Sequence, residues 1–254
     1  MELTIGYEKK EIFMSIFSNL KNFSTIIAIV FKPTQFYSQG LDKSQVCMFD
    51  LTIQNEWFNL YDVKKEITIY IDSITLYKIL NLSSTNNYNI NMSLNKDNLD
   101  LLNIKFFLDN MDCEKEFSIP LIDCDYQFLK VNKNDYTADF KVGSKNFHDI
   151  ISQLLSFGNQ IKFICNSDNI IMNCNGDCAD MKVNLIDFEE YTIDEGENID
   201  VTYNLNNMNK MCLNPKISPI IEIYISNDLP LKINYNIGNR SNIIFFAAPT
   251  ITDV

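Results

Sequence analysis

The stretch PLIDCDYQFLKVNKND, residues 120–135, lies in the middle of the chain and separates two halves that follow one plan. Its apolar residues alternate irregularly with Asp, Asn and Lys, so the pattern fits neither an amphipathic helix nor a buried strand. We therefore interpret residues 120–135 as a connector between two repeats.

On each side of the connector the same order of elements is predicted. Each half opens with an amphipathic helix, continues through three short strands and an irregular loop, and adds a strand that leads into a second helix. Each half then ends with a strand, a turn and a strand. The matched segments are 11–22 with 144–157, 25–31 with 160–165, 35–40 with 169–176, 45–53 with 179–188, 66–82 with 198–214, and 88–107 with 220–237 plus 243–248. Such a repeat predicts an α+β fold with two similar domains.

The predicted helices each have one apolar stripe at helical spacing, so each should pack one side on a sheet. In the first helix the stripe consists of Ile12, Phe13, Ile16, Phe17 and Leu20. In the last helix it consists of Leu205, Met208, Met211 and Cys212. The opposite face of the last helix is polar, with Asn206, Asn209 and Lys210.

Length and composition agree with two ordinary domains, because 254 residues with 46% hydrophobic content can build two cores. The longest apolar runs fall far short of the roughly 20 residues that a membrane helix needs. The first ten residues, MELTIGYEKK, do not have the basic start and apolar block of a signal peptide. Seven cysteines at irregular spacing favour a reducing compartment.

The net charge of −12 argues, taken alone, against a nucleic-acid partner. The predicted helices are nevertheless net positive, because their lysines outnumber Glu11 and Asp149. These lysines are Lys21, Lys78, Lys145 and Lys210. Most acids lie in strands and loops, which predicts a weakly basic helical face in an acidic protein. The alternative is that each helix lysine simply solvates an exposed surface.

No pattern of catalytic or metal-binding residues stands out. Cys174 and Cys178, with Cys165 nearby, lack the second pair of ligands that a zinc site needs. His148 is the one histidine, and it lies beside Asp149 on a predicted helix, as surface residues often do. Neither a phosphate-binding glycine loop nor a nucleophile or zinc-protease motif is present. We expect no enzyme activity, no cofactor and no metal.

Three segments, in order, carry a resemblance that spans the chain. They are GLDKSQVCMFDLTI (residues 40–53), the connector LIDCDYQFLKVNKNDY (residues 121–136) and DLPLKINYNIGNRSNIIFFAAPTITD (residues 228–253). Together with the duplicated βαβββ plan, they resemble the sliding clamps of the proliferating cell nuclear antigen family. No single segment is specific, but the three in this order are.

The resemblance implies the DNA clamp fold, with an N-terminal domain at 1–119, the connector at 120–135 and a C-terminal domain at 136–254. It implies three subunits closed head to tail, with helices lining the hole, sheets outside and the two domains continuous in β-sheet. Residues 115–120 of one subunit would pair with residues 181–187 of the next. The implied interface residues are Lys115, Phe117, Ile119, Met181, Val183 and Leu185.

The implied function is that of a DNA polymerase processivity factor, which encircles duplex DNA and tethers replication and repair proteins after a clamp loader opens the ring. The four helix lysines would contact the DNA. Several positions that are usually basic in the family differ here: Met14, Ser15, Asn81, Asp149, Ser152 and Leu213. This thinner lining favours an alternative, a checkpoint- or transcription-coupled clamp that is not a homotrimeric replicative ring. The expected location is the nucleus, or a cytoplasmic replication factory if the source is a large DNA virus.

The resemblance also implies a groove that binds a partner peptide carrying a Gln, an aliphatic residue and two aromatics. The matching positions are Leu41, Val46, Leu129, Val131, Pro230, Phe246, Ala248 and Pro249. All are apolar, as pockets for aromatic anchors require. Phe246 stands where Tyr is usual, and Asn132 stands where Pro is usual. For Val46 the alternative is an ordinary place in the core.

Overall fold

A computed structural model describes residues 1–95, 98–108, 115–132 and 134–250. The chain forms two compact units. Unit 1 contains residues 1–43, 49–129 and 237–243, and unit 2 contains residues 44–48, 130–236 and the segment from 244 onward. Each predicted half of the chain therefore forms the body of one unit, and each contributes one short segment to the other unit.

The described residues of the first half form nine strands and two helices. In chain order they are β1 (Glu2–Ile5), α1 (Lys10–Leu20), β2 (Ile26–Lys32), β3 (Gln35–Leu41), β4 (Cys47–Gln54), β5 (Leu60–Asp62), β6 (Ile67–Asp72), α2 (Ser73–Asn81), β7 (Asn89–Asn95), β8 (Asn98–Phe107) and β9 (Lys115–Pro120). A single 3₁₀ turn, Asn55–Trp57, lies between β4 and β5.

The second half repeats this inventory. Its elements are β10 (Ala138–Gly143), α3 (Ser144–Leu155), β11 (Gln160–Cys165), β12 (Ile170–Cys174), β13 (Met181–Leu185), β14 (Glu190–Ile193), β15 (Ile199–Asn204), α4 (Leu205–Cys212), β16 (Ile220–Ile225), β17 (Leu231–Gly238) and β18 (Ser241–Ala247). The described connector residues between β9 and β10 form no helix or strand, as their sequence predicts.

The strand orders show that the two halves have one topology. In the first half the orders are β5-β1-β7-β8-β9 and β6-β2-β3-β4. In the second half they are β14-β10-β16-β17-β18 and β15-β11-β12-β13. The second pair of orders is the first pair with each strand replaced by its counterpart, so the predicted duplication is confirmed. Four strands were absent from the sequence prediction, namely β1, β5, β10 and β14.

The helices pack on the sheets through the predicted stripes, with one correction. In unit 1, Phe13 and Phe17 of α1 are fully buried, and their rings lie 4.8 Å apart, with Phe36 of β3 within 6.4 Å of both. Ile12 is partly exposed and is not a core residue, although its spacing predicted burial. In unit 2 the whole predicted stripe of α4 is buried. Within the described residues, no helix has the length and apolar content needed to cross a membrane.

The second helix of each half begins with the same capping contact. The side chain of Asp72 accepts a hydrogen bond from the Thr75 backbone N–H at 2.6 Å. Asn204 occupies the same place before α4 and accepts from the Asn207 N–H at 3.2 Å. The first turn of a helix leaves backbone donors without helical partners, and an Asp or Asn at this position satisfies one of them.

In each half, the residues that follow the last strand bond to an edge strand of that half, which is β6 in the first half and β15 in the second. In unit 1 the Ile122 N–H donates to the Tyr70 carbonyl of β6 at 2.9 Å, and in unit 2 the Thr250 N–H donates to the Thr202 carbonyl of β15 at 2.8 Å. Strand β18 also lies beside β4. In unit 1 the Gln54 N–H donates to Ser241 Oγ, and in unit 2 the Ala248 N–H donates to the Val46 carbonyl. The long edges left open in the described residues are β9 and β13.

We predict that Asp72→Ala and Asn204→Ala each lower the free energy of unfolding by about 1 kcal/mol, because each leaves an N-terminal helix donor without its partner. Urea denaturation followed by circular dichroism measures the change. Asp72→Asn keeps an acceptor and serves as the control. A loss of stability as large in Asp72→Asn as in Asp72→Ala would show that the cap is not the cause.

Candidate functional site

The four helix lysines occupy different environments. Lys78 on α2 and Lys145 on α3 are exposed, and Lys210 on α4 is partly exposed. Lys21 follows α1, and its Nζ lies 3.6 Å from the centre of the Tyr77 ring on α2. A cation is attracted to the negative face of an aromatic ring, so the Lys21 ammonium is held against Tyr77. Nothing in the position of Tyr77 along the sequence predicted this contact.

A further lysine, Lys10, lies at the start of α1 but is buried. Its Nζ donates to the Ser83 carbonyl at 2.6 Å and to the Asn86 carbonyl, just beyond the end of α2. Carbonyl groups past a helix C-terminus attract a cation. Burial lowers the pKa of Lys10, with Glu11 opposing that shift. Lys10 therefore joins two helices and offers no free charge to a ligand.

The positions at which the family resemblance led us to expect basic residues are also not uniform. Asn81, Asp149 and Leu213 are exposed, whereas Met14 and Ser152 are partly exposed. Ser15 is 7% exposed, so its side chain is buried in unit 1 and is not available to a ligand. Leu82 and Leu213 take the same place, as the C-cap residues of α2 and α4, and both are exposed.

Six of the eight predicted groove residues belong to unit 2. Val46 and Ala248 are neighbours, because the Val46 carbonyl accepts from the Ala248 N–H at 3.0 Å. The Pro230 carbonyl accepts from the Tyr136 hydroxyl at 3.1 Å. None of the six is buried, and Val46 and Val131 are each 38% exposed. The alternative that Val46 is an ordinary core residue is therefore wrong. The six are Val46, Val131, Pro230, Phe246, Ala248 and Pro249.

The other two predicted groove residues, Leu41 and Leu129, belong to unit 1. Leu41 is partly exposed, and 48% of Leu129 is exposed. The backbone of Leu129 bonds to the side chain of Gln39 on β3 through both its N–H and its carbonyl. Gln39 thus fixes a connector residue, a role that sequence spacing alone gave no signal for.

The predicted interface residues lie on the two open edge strands, but two of them are core residues. Ile119 of β9 is 2% exposed and Leu185 of β13 is 4% exposed, so neither offers a side chain to a partner. Lys115, Phe117, Met181 and Val183 are partly exposed. The Phe117 ring also packs against Phe106 of the neighbouring strand, 5.2 Å away. Of the six predicted residues, four can therefore contribute side chains at these edges: Lys115, Phe117, Met181 and Val183.

The described cysteines lie in different environments. Cys165 and Cys174 are buried, whereas Cys178 is exposed. Burial raises the pKa of the Cys165 thiol to about 12, which keeps it protonated and a poor ligand near neutral pH. His148 Nδ1 lies 3.3 Å from Asp149 Oδ1 on α3. Among the residues that the structure describes, no cluster of three or more His, Cys, Asp or Glu could hold a metal ion.

Comparison with known proteins gives one consistent result along the chain. Residues 3–128 match the family model "Proliferating cell nuclear antigen, N-terminal domain", and residues 130–250 match "Proliferating cell nuclear antigen, C-terminal domain". The chain is 26% identical over 222 residues to the proliferating cell nuclear antigen of Chaetomium thermophilum, and the alignment covers 85% of each chain. The two matches meet inside the connector, between the repeated halves.

Proposed function

Because the chain belongs to the proliferating cell nuclear antigen family of sliding clamps, we propose that it acts as a DNA polymerase processivity factor, a ring of three copies around duplex DNA. The observation that carries this proposal is the ordered match of both family domains to two halves of identical strand order. Members of the family are scaffold proteins without enzyme activity, so the function depends on surfaces. The proposed boundaries are 1–119 for the N-terminal domain, 120–135 for the connector and 136–254 for the C-terminal domain.

The proposed contact between copies pairs β9 of one copy with β13 of the next. The counterpart of β9 in the second half is β18, and the counterpart of β13 in the first half is β4. Strands β18 and β4 are neighbours in one sheet, which supports a similar pairing of β9 with β13 of another copy. Open edges carry unpaired backbone groups that favour strand addition. Lys115, Phe117, Met181 and Val183 would contribute side chains.

The proposed DNA contact uses Lys21, Lys78, Lys145 and Lys210. A clamp that slides needs weak, sequence-independent attraction to phosphates, and a few lysines per copy supply it. Lys78 and Lys145 are exposed, and Tyr77 holds Lys21 in place. The net charge of −12 on the whole chain would keep duplex DNA away from other surfaces.

The proposed partner site consists of the six predicted groove residues of unit 2, none of which is buried, together with Leu41 and Leu129 of unit 1. Val131 and Phe246 would contact the aromatic anchors of a partner peptide, and Pro249 and Ala248 would border it. Polymerases, repair proteins and a clamp loader are the proposed partners. The proposed location is the nucleus, or a cytoplasmic replication factory if the source is a large DNA virus.

One observation favours a second candidate function, that of a regulatory clamp which is not a replicative homotrimer. Among six positions expected to be basic, the exposed ones carry Asn81, Asp149 and Leu213 instead. Measuring the molecular mass in solution separates the two candidates. Three copies per particle support the replicative ring, and a monomer or a mixed assembly with other proteins supports the regulatory clamp.

For the subunit contact, we predict that Val183→Glu converts the trimer to monomers. The new carboxylate would have to be buried between copies without a partner. Asn184→Glu adds the same charge to the next, exposed residue of β13, and this control should stay trimeric. Light scattering gives the mass, and circular dichroism verifies the fold. A Val183→Glu protein that remains a trimer would place the contact elsewhere.

For the DNA contact, we predict that the double variant Lys21→Ala with Lys78→Ala is retained less well on DNA. The slope of the logarithm of DNA affinity against the logarithm of salt concentration should also become shallower, by about one unit for each phosphate contact that is lost. The assay is primer extension on a closed circular template over a range of salt. Lys64→Ala with Lys65→Ala removes the same charge from an exposed loop and is the control. Equal processivity in the two double variants would mean that the helix lysines only aid solubility.

For the partner site, we predict that Val131→Asp lowers the affinity for a fluorescent peptide with paired aromatics by about tenfold or more, because a charge replaces an apolar contact worth roughly 1.5 kcal/mol. Asn132→Asp puts the same charge on the neighbouring residue and should change affinity little. Fluorescence anisotropy measures both, after each variant is shown to have the wild-type mass. Indistinguishable affinities of wild type and Val131→Asp would rule the site out.

A further inference from the structure

The connector is attached to unit 1 at one buried side chain. Gln39 of β3 is 1% exposed, and its amide pairs with the peptide groups of Leu129. The Leu129 N–H donates to Gln39 Oε1 at 2.7 Å, and Gln39 Nε2 donates to the Leu129 carbonyl at 2.9 Å. A side-chain amide has an N–H donor and an oxygen acceptor, so it can bond to both the C=O and the N–H of one residue, as a neighbouring strand would. Leu129 is held in this way, ninety residues away in sequence.

A second pair of side chains fixes the direction in which this amide points. Asp50 of β4 is acceptor-only when ionised, and its Oδ2 lies 3.2 Å from Gln39 Nε2. The Tyr37 hydroxyl donates to the same Oδ2 at 2.8 Å and lies 3.1 Å from Nε2. Both neighbours therefore favour the N–H side of the amide, which leaves Oε1 facing the Leu129 N–H. Reversing the amide would place its oxygen against a carboxylate.

Ring contacts extend this attachment along the connector. The Phe128 ring lies 5.7 Å from Tyr37 and 5.3 Å from Tyr126, with tilted and edge-on geometries that favour attraction. Residues 126–129 are therefore fixed on unit 1 by rings and hydrogen bonds. The next three residues, Lys130, Val131 and Asn132, are all exposed. Gln127, Phe128 and Leu129 are exposed as well, so hydrogen bonds and ring contacts, rather than burial, fix this part of the connector.

We propose that Gln39 is a positioning residue for partner recruitment. Its two hydrogen bonds to Leu129, which we call the latch, hold the connector and so fix the position of the connector residues that a partner peptide contacts. This proposal rests on the proposed partner site, since Leu129 and Val131 are predicted members of it. Gln39 itself is buried and does not touch the peptide. A latched connector binds more tightly than a loose one, because the ordering is complete before the peptide arrives.

The test uses Gln39→Met, which has a similar size and no amide. It should keep the packing of β3 while it removes both bonds to Leu129. Gln35→Met, on the same strand and four residues away, is the matched control. Hydrogen exchange of the Leu129 amide, read by NMR in the intact assembly, reports the latch without any ligand. Anisotropy with the fluorescent peptide reports recruitment.

We expect Leu129 exchange to accelerate by about tenfold in Gln39→Met, with unchanged amides in β3 and β4, and peptide affinity to fall several-fold. Gln35→Met should match wild type in both readouts. Should Gln39→Met fail to fold, Asp50→Asn, which removes the charge that orients the amide, should raise Leu129 exchange as well.

The two readouts separate the latch from the partner site. Unchanged Leu129 exchange in Gln39→Met overturns the latch. Faster exchange with unchanged peptide affinity overturns its role in recruitment. If the wild-type protein binds no peptide, the partner site and the recruitment role both fail, and Leu129 exchange alone then decides whether Gln39 holds the connector.

Discussion

Backbone N–H and C=O groups at the edge of a sheet need partners, and this constraint organises the whole chain. In each half, the residues after the last strand bond to the edge strand of a sheet. Ile122 bonds to Tyr70, and Thr250 bonds to Thr202. The connector is therefore more than a link between halves. Its first residues complete one sheet, and Leu129 completes a further pairing with a side-chain amide. What stays open, β9 and β13, is where backbone pairing with another copy is proposed.

The repeat was readable from the sequence because its signals are local. Helical spacing in α1 and α4 and alternation in β6 and β15 both depend on residues a few positions apart. The strands β5 and β14, of three and four residues, are too short to show any period. Ile12 was misplaced because spacing defines a stripe but not its edges, and the width of the neighbouring sheet decides which stripe residue remains in solvent.

The candidate site was less readable, because its geometry depends on long-range neighbours. Sequence could propose Lys21 as a surface charge, but not that Tyr77 of another helix would lie 3.6 Å away. Ile119 and Leu185 were expected at an edge and do lie on edge strands, yet their side chains turn into the core. Alternation gives two faces of a strand without saying which one is covered. Gln39 was missed because a Gln in a strand is usually a solvated residue, and its partner lies ninety residues away, in the connector.

The two open edges proposed to pair are different strands, β9 and β13, and this difference restricts how copies can join. A contact between two different strands is heterologous, because one copy offers β9 and the next offers β13, so copies join head to tail. Such a chain of copies closes only if the rotation between neighbours divides a full turn, and otherwise it grows into a filament. The angle at one strand pairing would thus set the number of copies. Because all copies share one direction, their connectors would lie on a single side of the assembly, and proteins that dock there would compete for, or share, one face.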